Sequence, residues 1–338
     1  MTPVAFEPLR VACIGMGWWS EVLADAIQRS KKLKIVACYT RSEEKRRAFA
    51  TKYACAAAPS YEAVLEDRAI EAVINTTPND AHLETTRAAA AAGKHVFLDK
   101  PIANTVSEGR AITEVCRKAG IVLALGYQRR RESQFRWIRR QIDEGAFGRL
   151  VNAEANISRD RLGKIDLNSW RYTAAGMPGG VMLQIGIHYS DVLEYLLGPI
   201  KAVNGRFAQL VLPGDNPDVA SLVLEHESGA LSTLNASYAS ASEYYLMNIY
   251  GKEASAYYDM HQGLRLLKRG SDRSSPVSFE KNDTFVEELE EFARAVRGEC
   301  GPEMDGERAT ASLAVIRAGI VSAREGRRVE VAEILAND

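Results

Sequence analysis

Short apolar runs alternate with amphipathic stretches along the first third of the chain. The runs are rich in β-branched residues and are bounded by turn residues, so they predict strands over residues 10–15, 33–39, 71–78, 94–99 and 121–127. Between them, the alanine-rich segment 81–93 ends in glycine and predicts one of the intervening helices. Buried strands that alternate with helices indicate a parallel sheet covered on both faces.

The pattern changes after residue 127. It predicts a helix over 133–145, strands with hairpin signals over 221–238 and 244–258, and two more helices over 285–298 and 306–326. These strand runs indicate an antiparallel sheet. The predicted fold class is therefore α/β, with a doubly wound parallel domain over 1–127 and an α+β domain with a mostly antiparallel sheet over 128–338.

Composition indicates an ordinary globular protein. The 338 residues suffice for about two domains, and 46% are hydrophobic and 26% charged. The net charge of −1 argues against a nucleic-acid partner, and no apolar run is long enough to span a membrane. The segment 1–10 has no secretory pattern, and the five cysteines form no CxxC pair, so we expect a reduced, cytoplasmic protein without a metal site.

A glycine-rich turn follows the first predicted strand. In Gly15-x-Gly17-x-x-Ser20, the first glycine allows a tight turn and the second lets a pyrophosphate approach the positive end of a helix. Ser20 replaces the usual third glycine and is small enough for close helix–strand packing. We predict that a dinucleotide binds the residues of this turn: Gly15, Met16, Gly17, Trp18 and Trp19. The alternative is a simple glycine-rich turn between strand and helix.

The end of the second strand discriminates between nicotinamide cofactors. NAD sites usually place Asp or Glu there, whereas residues 33–42 contain no acid and end in Thr40, Arg41 and Ser42. A guanidinium between two hydroxyls suits a 2′-phosphate, because arginine can bind it through two hydrogen bonds. This pattern favours NADP(H), with NAD(H) as the alternative cofactor. A solvated loop position is the alternative explanation of Arg41.

Three further motifs follow in order: TTPNDAH over 76–82, DKP over 99–101 and GGVMLQIGIH over 179–188. Together with the glycine turn, GYQRR over 126–130 and SAREGRRVEV over 322–331, they resemble the Gfo/Idh/MocA family of oxidoreductases. The resemblance implies a Rossmann domain, a C-terminal domain with a large open sheet, and a homodimer or homotetramer. It also implies hydride transfer between nicotinamide and a small-molecule sugar, cyclitol or related polyol or ketone.

The resemblance assigns residues to the site. The catalytic lysine of the family corresponds to Lys100, which would orient and polarise the substrate oxygen, and the family histidine corresponds to His188. Histidine titrates near neutral pH, so it suits proton transfer in both directions. Further cofactor-binding residues are implied at Thr76, Thr77, Pro78, Asn79, His82, Asp99, Lys100, Pro101 and Gln128. Of these, His82 is better suited to fixing a loop than to chemistry.

The third motif departs from the family pattern at one position. The family aspartate falls on Gln184, whose amide can bind a sugar hydroxyl but cannot carry a proton. Helical counting places four residues on one face: Gln184, His188, Asp191 and Tyr195. Asp191 then orients His188 or binds substrate, or else lies on the helix surface. Gly186 indicates either a close ligand or plain helix packing.

Other substrate-binding candidates rest on less. Trp170 and Arg171 match a recurrent WR pair of the family, with core packing as the alternative for Trp170. Arg129 lies in an arginine run, 129–131, for which a solvated charge run is favoured over an anion site. Tyr244 and Tyr245 fit packing within the sheet.

Two other functions remain open beside a dehydrogenase or reductase. One is a lyase or glycosidase that oxidises a sugar carbon transiently, eliminates a neighbouring group and retains its cofactor. The other is a non-enzymatic dinucleotide-binding sensor, which the loss of the family aspartate favours and which Lys100 and His188 disfavour. A serine hydrolase is disfavoured because the chain has no GxSxG motif.

Overall fold

The computed structural model describes residues 7–164, 166 and 169–338, which form two compact units. The first unit contains the described residues up to Ala103, Ser107–Gln128 and Asp283–Thr310. The second contains Asn104–Val106, Arg129–Asn282 and Ala311–Asp338. Residues 1–6 of the segment in which no secretory pattern is predicted lie outside the described part of the chain.

The sequence forms regular elements throughout the described residues. The strands are β1 Leu9–Ile14, β2 Leu33–Tyr39, β3 Ala56–Ala57, β4 Ala72–Asn75, β5 His95–Asp99, β6 Leu123–Gly126, β7 Leu150–Asp160, β8 Ile200–Ala208, β9 Val219–His226, β10 Leu231–Ser237, β11 Ala239–Gly251, β12 Ala254–Asp259, β13 Gly263–Lys268, β14 Ser275–Pro276 and β15 Val329–Glu330. The α-helices are α1 Trp18–Arg29, α2 Glu43–Tyr53, α3 Tyr61–Glu66, α4 His82–Ala91, α5 Val106–Ala119, α6 Ser133–Asp143, α7 Ile187–Leu197, α8 Thr284–Val296, α9 Gly306–Glu325 and α10 Val331–Asn337.

A six-stranded parallel sheet forms the centre of the first unit, in the order β3-β2-β1-β4-β5-β6. Neighbouring residues of β1 pack into different apolar clusters: Val11 with Leu23 of α1, and Ala12 with Val64 of α3. Both faces are therefore covered, as expected for strands that are buried throughout. The predicted doubly wound parallel fold is confirmed.

Helix α8 belongs to this first unit, although the predicted domain boundaries, 1–127 and 128–338, place it in the second domain. The ring of Phe292 lies 5.8 Å from that of Phe97 in β5, and Phe285 lies 5.5 Å from Trp19. Leu289 is also fully buried in the same apolar cluster. The chain therefore returns to the first sheet after it has built the second, which a continuous boundary cannot represent.

A nine-stranded sheet forms the centre of the second unit, in the order β14-β13-β12-β11-β7-β10-β9-β8-β15. Its neighbours are antiparallel except β7 and β10, which are parallel. The predicted mostly antiparallel sheet is confirmed, and α7 packs against β7 and β10. No helix in the described ranges is both long enough and apolar enough to cross a membrane.

Candidate functional site

The turn after β1 has the geometry of a phosphate loop. Gly15 has a φ of +82°, and a side chain there would place its Cβ 2.7 Å from the backbone of Thr76. Gly17 is the N-cap of α1, and apart from its chain neighbours no described residue has an atom within 4 Å of the position a Cβ would take there. This open space beside the first amides of α1 fits a pyrophosphate. Ser20 is buried, as its predicted packing role requires.

Two more loops leave the same sheet at the carboxyl ends of β4 and β5. The Thr76 hydroxyl lies 2.6 Å from the carbonyl of Gly15, to which it donates, and Asn75 accepts from both the amide and the hydroxyl of Thr77 at 3.1 and 2.7 Å. Pro78 and Asn79 continue this loop into α4. Side chains thus join the turn after β1 to the loop after β4, at the strand ends where open α/β sheets bind ligands.

His82, the first residue of α4, ties the loop after β4 to the loop after β5. Its Nε2 lies 2.9 Å from the Thr77 carbonyl, and its Nδ1 lies 3.1 and 3.2 Å from the carbonyls of Pro101 and Ile102. Burial lowers the pKa of His82, while the nearby Asp99 acts in the opposite direction. These contacts favour the predicted loop-fixing role of His82 over one in chemistry.

The remaining candidates of the first unit continue this carboxyl edge. Asp99 is the buried last residue of β5 and pairs in register with Gly126 of β6. Lys100 follows it and is joined to Pro101 by a cis peptide bond. Gln128 begins the short 3₁₀ turn after β6 and is buried. At the other end of the glycine turn, Met16 and Trp19 pack on the core, while Trp18 is 60% exposed.

One basic residue that lies against the end of β2 was not predicted from the sequence. Arg46 in α2 donates to the Thr40 carbonyl at 2.8 Å, and its guanidinium lies 5.7 Å from the centre of the Tyr39 ring. The Ser42 hydroxyl accepts from the Lys45 amide at 3.3 Å and caps α2. Arg41 is exposed between them. The sequence does contain a signal for Arg46. It lies five residues after Arg41, in the first turn of the helix that follows β2.

In the second unit, a π-helical turn over Met182–Gly186 precedes α7 directly. The carbonyl oxygen of the Gln184 side chain accepts a hydrogen bond from the Tyr238 hydroxyl. A Cβ at Gly186 would lie 2.2 Å from the sulfur of Met182, so the Met182 side chain occupies that space. Packing within the helix, and not a ligand, therefore accounts for the glycine.

The predicted face of four residues needs correction. The π turn changes the number of residues per turn, so 3.6-residue counting does not apply between Gln184 and His188. His188, at 6% exposure, and Asp191, at 1%, both lie in α7. Arg130 binds both carboxylate oxygens of Asp191 and lies 5.4 Å from the ring of Tyr195. Asp191 is therefore not a surface residue.

The expectation of a solvated run for 129–131 is wrong. Arg130 and Arg131 are buried, and Arg129 is only partly exposed. Arg129 lies 2.6 Å from the Glu132 carboxylate and 5.0 Å from the centre of the Tyr245 ring. Burial limits the access of water to the run, and carboxylates pair with Arg129 and Arg130 instead.

The WR pair forms a 3₁₀ turn over Trp170–Tyr172. The guanidinium of Arg171 lies 4.5 Å from the centre of the Trp170 ring, and both residues are partly exposed. Nearby, Tyr172 contacts Tyr238 edge-on at 5.9 Å between ring centres. Tyr245 is buried in the sheet, as predicted, whereas Tyr244 is partly exposed and stacks on His261. Among the described residues, no group of three or more His, Cys, Asp or Glu side chains is placed to hold a metal ion.

Two family models match the chain. Residues 9–127 match the NAD-binding Rossmann fold of the GFO/IDH/MocA oxidoreductase family, and residues 135–257 match its C-terminal domain. The scyllo-inositol 2-dehydrogenase (NAD(+)) of Bacillus subtilis is 30% identical over 280 residues, 79% of this chain and 80% of that protein. The chain belongs to the Gfo/Idh/MocA family.

Solved structures agree with this family assignment. An oxidoreductase from Desulfitobacterium hafniense DCB-2, provisionally assigned as NADPH-dependent, has a TM-score of 0.93 at 33% identity and covers 98% of this chain and 99% of its own. Levoglucosan dehydrogenase, solved with NADH and levoglucosan, shares the fold with a TM-score of 0.88 at 20% identity, covering 96% and 100%. This member of the Gfo/Idh/MocA family is an NAD(P)-dependent oxidoreductase related to inositol and sugar dehydrogenases.

Proposed function

We propose that this protein transfers a hydride between a nicotinamide cofactor and one CH–OH carbon of a sugar, cyclitol or related polyol or ketone. We call the carboxyl edge of the first sheet, with the loops after β1, β4 and β5, the cofactor edge. The observation that carries the proposal is that Lys100 directly follows β5 at this edge, while His188 lies buried in α7 of the second unit. The chain thus retains both residues that could activate an alcohol. The scyllo-inositol dehydrogenase relative supports a ring polyol as the substrate class.

The roles of these residues follow from their chemistry. The bound nicotinamide would accept or return the hydride. His188 exchanges the proton of the reacting hydroxyl, because imidazole titrates near neutral pH. Lys100 polarises the same oxygen by its positive charge. Gln184 receives a hydrogen bond from Tyr238 and presents amide hydrogens to a substrate oxygen, so it positions without titrating.

NADP(H) is the proposed cofactor. Arg41 is exposed and makes no ion pair or side-chain hydrogen bond with the residues that the structure describes. Its guanidinium can therefore bind a 2′-phosphate without first breaking another contact. Gly15, Gly17 and the amides of α1 would hold the pyrophosphate, with the loops at Thr76–Pro78 and Asp99–Pro101 beside it.

Self-association through the open sheet is part of the proposal, as a dimer or tetramer. Three apolar side chains on neighbouring strands are about half exposed: Val151 of β7 at 50%, Leu231 of β10 at 51% and Val223 of β9 at 48%. Such exposed apolar surface favours contact with another chain. Light scattering should report an oligomer that Leu231→Lys disrupts, whereas Val211→Lys, outside the strands, should not. A stable monomer at micromolar concentration contradicts this.

The reaction is tested by following the near-ultraviolet absorbance of reduced nicotinamide with a panel of sugars, cyclitols and their ketones, using each cofactor in turn. A substrate-dependent change with at least one panel member is the expected result. Product formation without net cofactor change would identify the lyase or glycosidase chemistry instead. Dinucleotide binding with no turnover of any panel member would favour the sensor function.

A further inference from the structure

Among the residues that the structure describes, three arginines of the second unit have no carboxylate partner. Arg159 is the penultimate residue of β7, Arg161 follows that strand, and Arg171 lies in the 3₁₀ turn over Trp170–Tyr172. Within the described ranges, none of the three makes an ion pair or a side-chain hydrogen bond. The Nε atoms of Arg159 and Arg161 are nevertheless buried. Two of the three contact aromatic rings: Arg159 lies 5.8 Å from the centre of the Tyr245 ring, and Arg171 lies over the Trp170 ring.

The three arginines lie near one residue, Tyr238. Burial raises the pKa of Tyr238 well above its usual value, and all three arginines are close enough to act against that rise. The backbone amide of Arg161 also donates to the Tyr238 carbonyl at 2.9 Å. Because Tyr238 donates its hydroxyl hydrogen bond to Gln184, the positive cluster lies beside the proposed substrate-binding amide.

Three other arginines of the same unit do have a carboxylate partner. Arg130 has Asp191, Arg129 has Glu132, and Arg139 has Asp143. Leaving a partly buried guanidinium without a counter-ion costs free energy, because water no longer solvates the charge fully. Three such groups near one tyrosine therefore indicate that a negative charge completes the cluster from outside the chain.

Three nearby acids of the second unit are committed elsewhere. Asp160 lies 2.8 Å from the ammonium of Lys164. Asp215 accepts from the Ala174 amide at 3.1 Å, and Asp218 accepts from three successive amides over residues 210–212. A small surface cleft is lined by Arg171, Tyr172 and Tyr238, so this side of the cluster is open to solvent.

We propose that Arg159, Arg161 and Arg171 bind a carboxylate or phosphate group of the substrate, which is therefore a sugar or polyol that carries an anionic group. This inference rests on the proposed function and specifies its substrate class. Guanidinium groups bind both kinds of oxyanion through paired hydrogen bonds. An anionic substrate also explains the amide at Gln184. A carboxylate at that position would pair with the arginines in competition with the substrate, whereas the neutral amide does not.

Calorimetric titration of the NADPH-saturated protein tests the inference. The probes are D-glucose, D-glucuronate and D-glucose 6-phosphate, which differ in the presence and kind of anionic group. At least one anion should bind about 10-fold or more tightly than glucose, and added salt should weaken that difference. Preference for glucuronate identifies a carboxylate as the recognised group, and preference for the phosphate ester identifies a phosphate.

Variants show whether the cluster is responsible. Arg161→Gln and Arg171→Gln should each reduce anion binding by about 10-fold or more and leave glucose binding unchanged, since a charge-assisted hydrogen bond is lost. Arg171→Lys should restore part of the affinity because it keeps the charge. Gln184→Asp should also weaken anion binding, because its carboxylate would compete for the guanidinium groups. Arg140→Gln removes an exposed arginine of α6 and serves as the matched control.

The outcomes separate this inference from the proposed reaction. Glucose binding as tightly as both anions, or arginine variants that bind the preferred anion like the unmodified protein, overturns the anionic substrate class. Retained NADPH binding by each variant shows that it is folded. Hydride transfer is measured separately by nicotinamide absorbance, so a bound anion without turnover supports the cluster and counts against the reaction only.

Discussion

The cofactor edge of the first unit and the arginine cluster of the second are both polar regions set into apolar surroundings, but they are held in different ways. At the cofactor edge, neutral side chains hold the loops: the Thr76 hydroxyl donates to the Gly15 carbonyl, and Asn75 accepts from the amide and the hydroxyl of Thr77. In the second unit, charges bind charges, as in Arg130 with Asp191, or remain without a carboxylate, as in Arg171.

This difference has a physical consequence. Neutral hydrogen bonds to backbone contribute modest energies and do not depend on the protonation of a partner. Buried charges depend strongly on their counter-ions, because the desolvated charge is costly once its partner is gone. The loops of the cofactor edge should therefore keep their stability when a single charge is removed, while the stability of the second unit should respond to charge removal and to pH.

The largest expected effect concerns the two proposed catalytic residues, one in each unit. Lys100→Ala and His188→Ala should each lower kcat by about 10²–10⁴, the range for loss of a general acid or base. Gln184→Ala should mainly raise KM, since it removes binding common to substrate and transition state. Steady-state kinetics on an accepted substrate measure both. His261→Ala, an exposed histidine of the second unit, is the control.

Unchanged kcat in His188→Ala, with chemistry shown to limit the rate, would remove His188 as the proton-transfer group. Lys100 would then become the candidate for that step, and the charged second unit would serve binding alone.

Next in size is the loss of stability on breaking the buried pair. Asp191→Ala should lower the free energy of unfolding by about 3–5 kcal/mol, because it leaves the Arg130 guanidinium without its carboxylate in a site where the two side chains are 10% and 1% exposed. Urea unfolding provides the measurement. Glu43→Ala breaks the exposed pair with Arg47 and should cost less than about 1 kcal/mol. Equal losses for the two variants would show that burial adds nothing to the Arg130 pair.

A smaller effect is expected from pH. Burial, and then the neighbouring charge of Asp191, raise the pKa of Glu194 from 4.5 to about 7. Between these values the folded state holds a proton that the unfolded state has released, so this group's contribution to stability is lost as pH rises through the window. Glu194→Gln imitates the protonated form. Across that window its free energy of unfolding should rise above that of the unmodified protein by about 1–3 kcal/mol. Parallel stability–pH curves for the two proteins would contradict the raised pKa.

The smallest expected effect is at the cofactor edge. Arg41→Ala should weaken NADPH binding by about 10-fold and leave NADH binding unchanged, because only the phosphorylated cofactor would use the guanidinium. Fluorescence titration with each cofactor measures this. Arg47→Ala, on the same helix as Arg46 but paired with Glu43, is the matched control. Equal affinity of the unmodified protein for both cofactors would refute the preference.

Much of the first unit was predictable because its information is local. The apolar run 33–39 coincides with β2, and the other predicted strands differ from the observed ones by a few residues at their ends. Gly15 requires a positive φ and a close backbone neighbour, which only glycine allows, so the turn is visible in the chain itself. The family motifs likewise named Lys100 and His188, whose roles stay predictions.

The second unit was less predictable because its decisive contacts join distant segments. Arg130 and Asp191 are 61 residues apart, and nothing in the arginine run indicates that partner. The π turn at Met182–Gly186 is not predicted by a 3.6-residue period either. Sequence alone therefore determined the strand and helix periods, the glycine turn and the family, because these depend on neighbours along the chain. Only the tertiary structure decided which charges are buried, which have partners and where α8 packs, because those energies depend on distances through space.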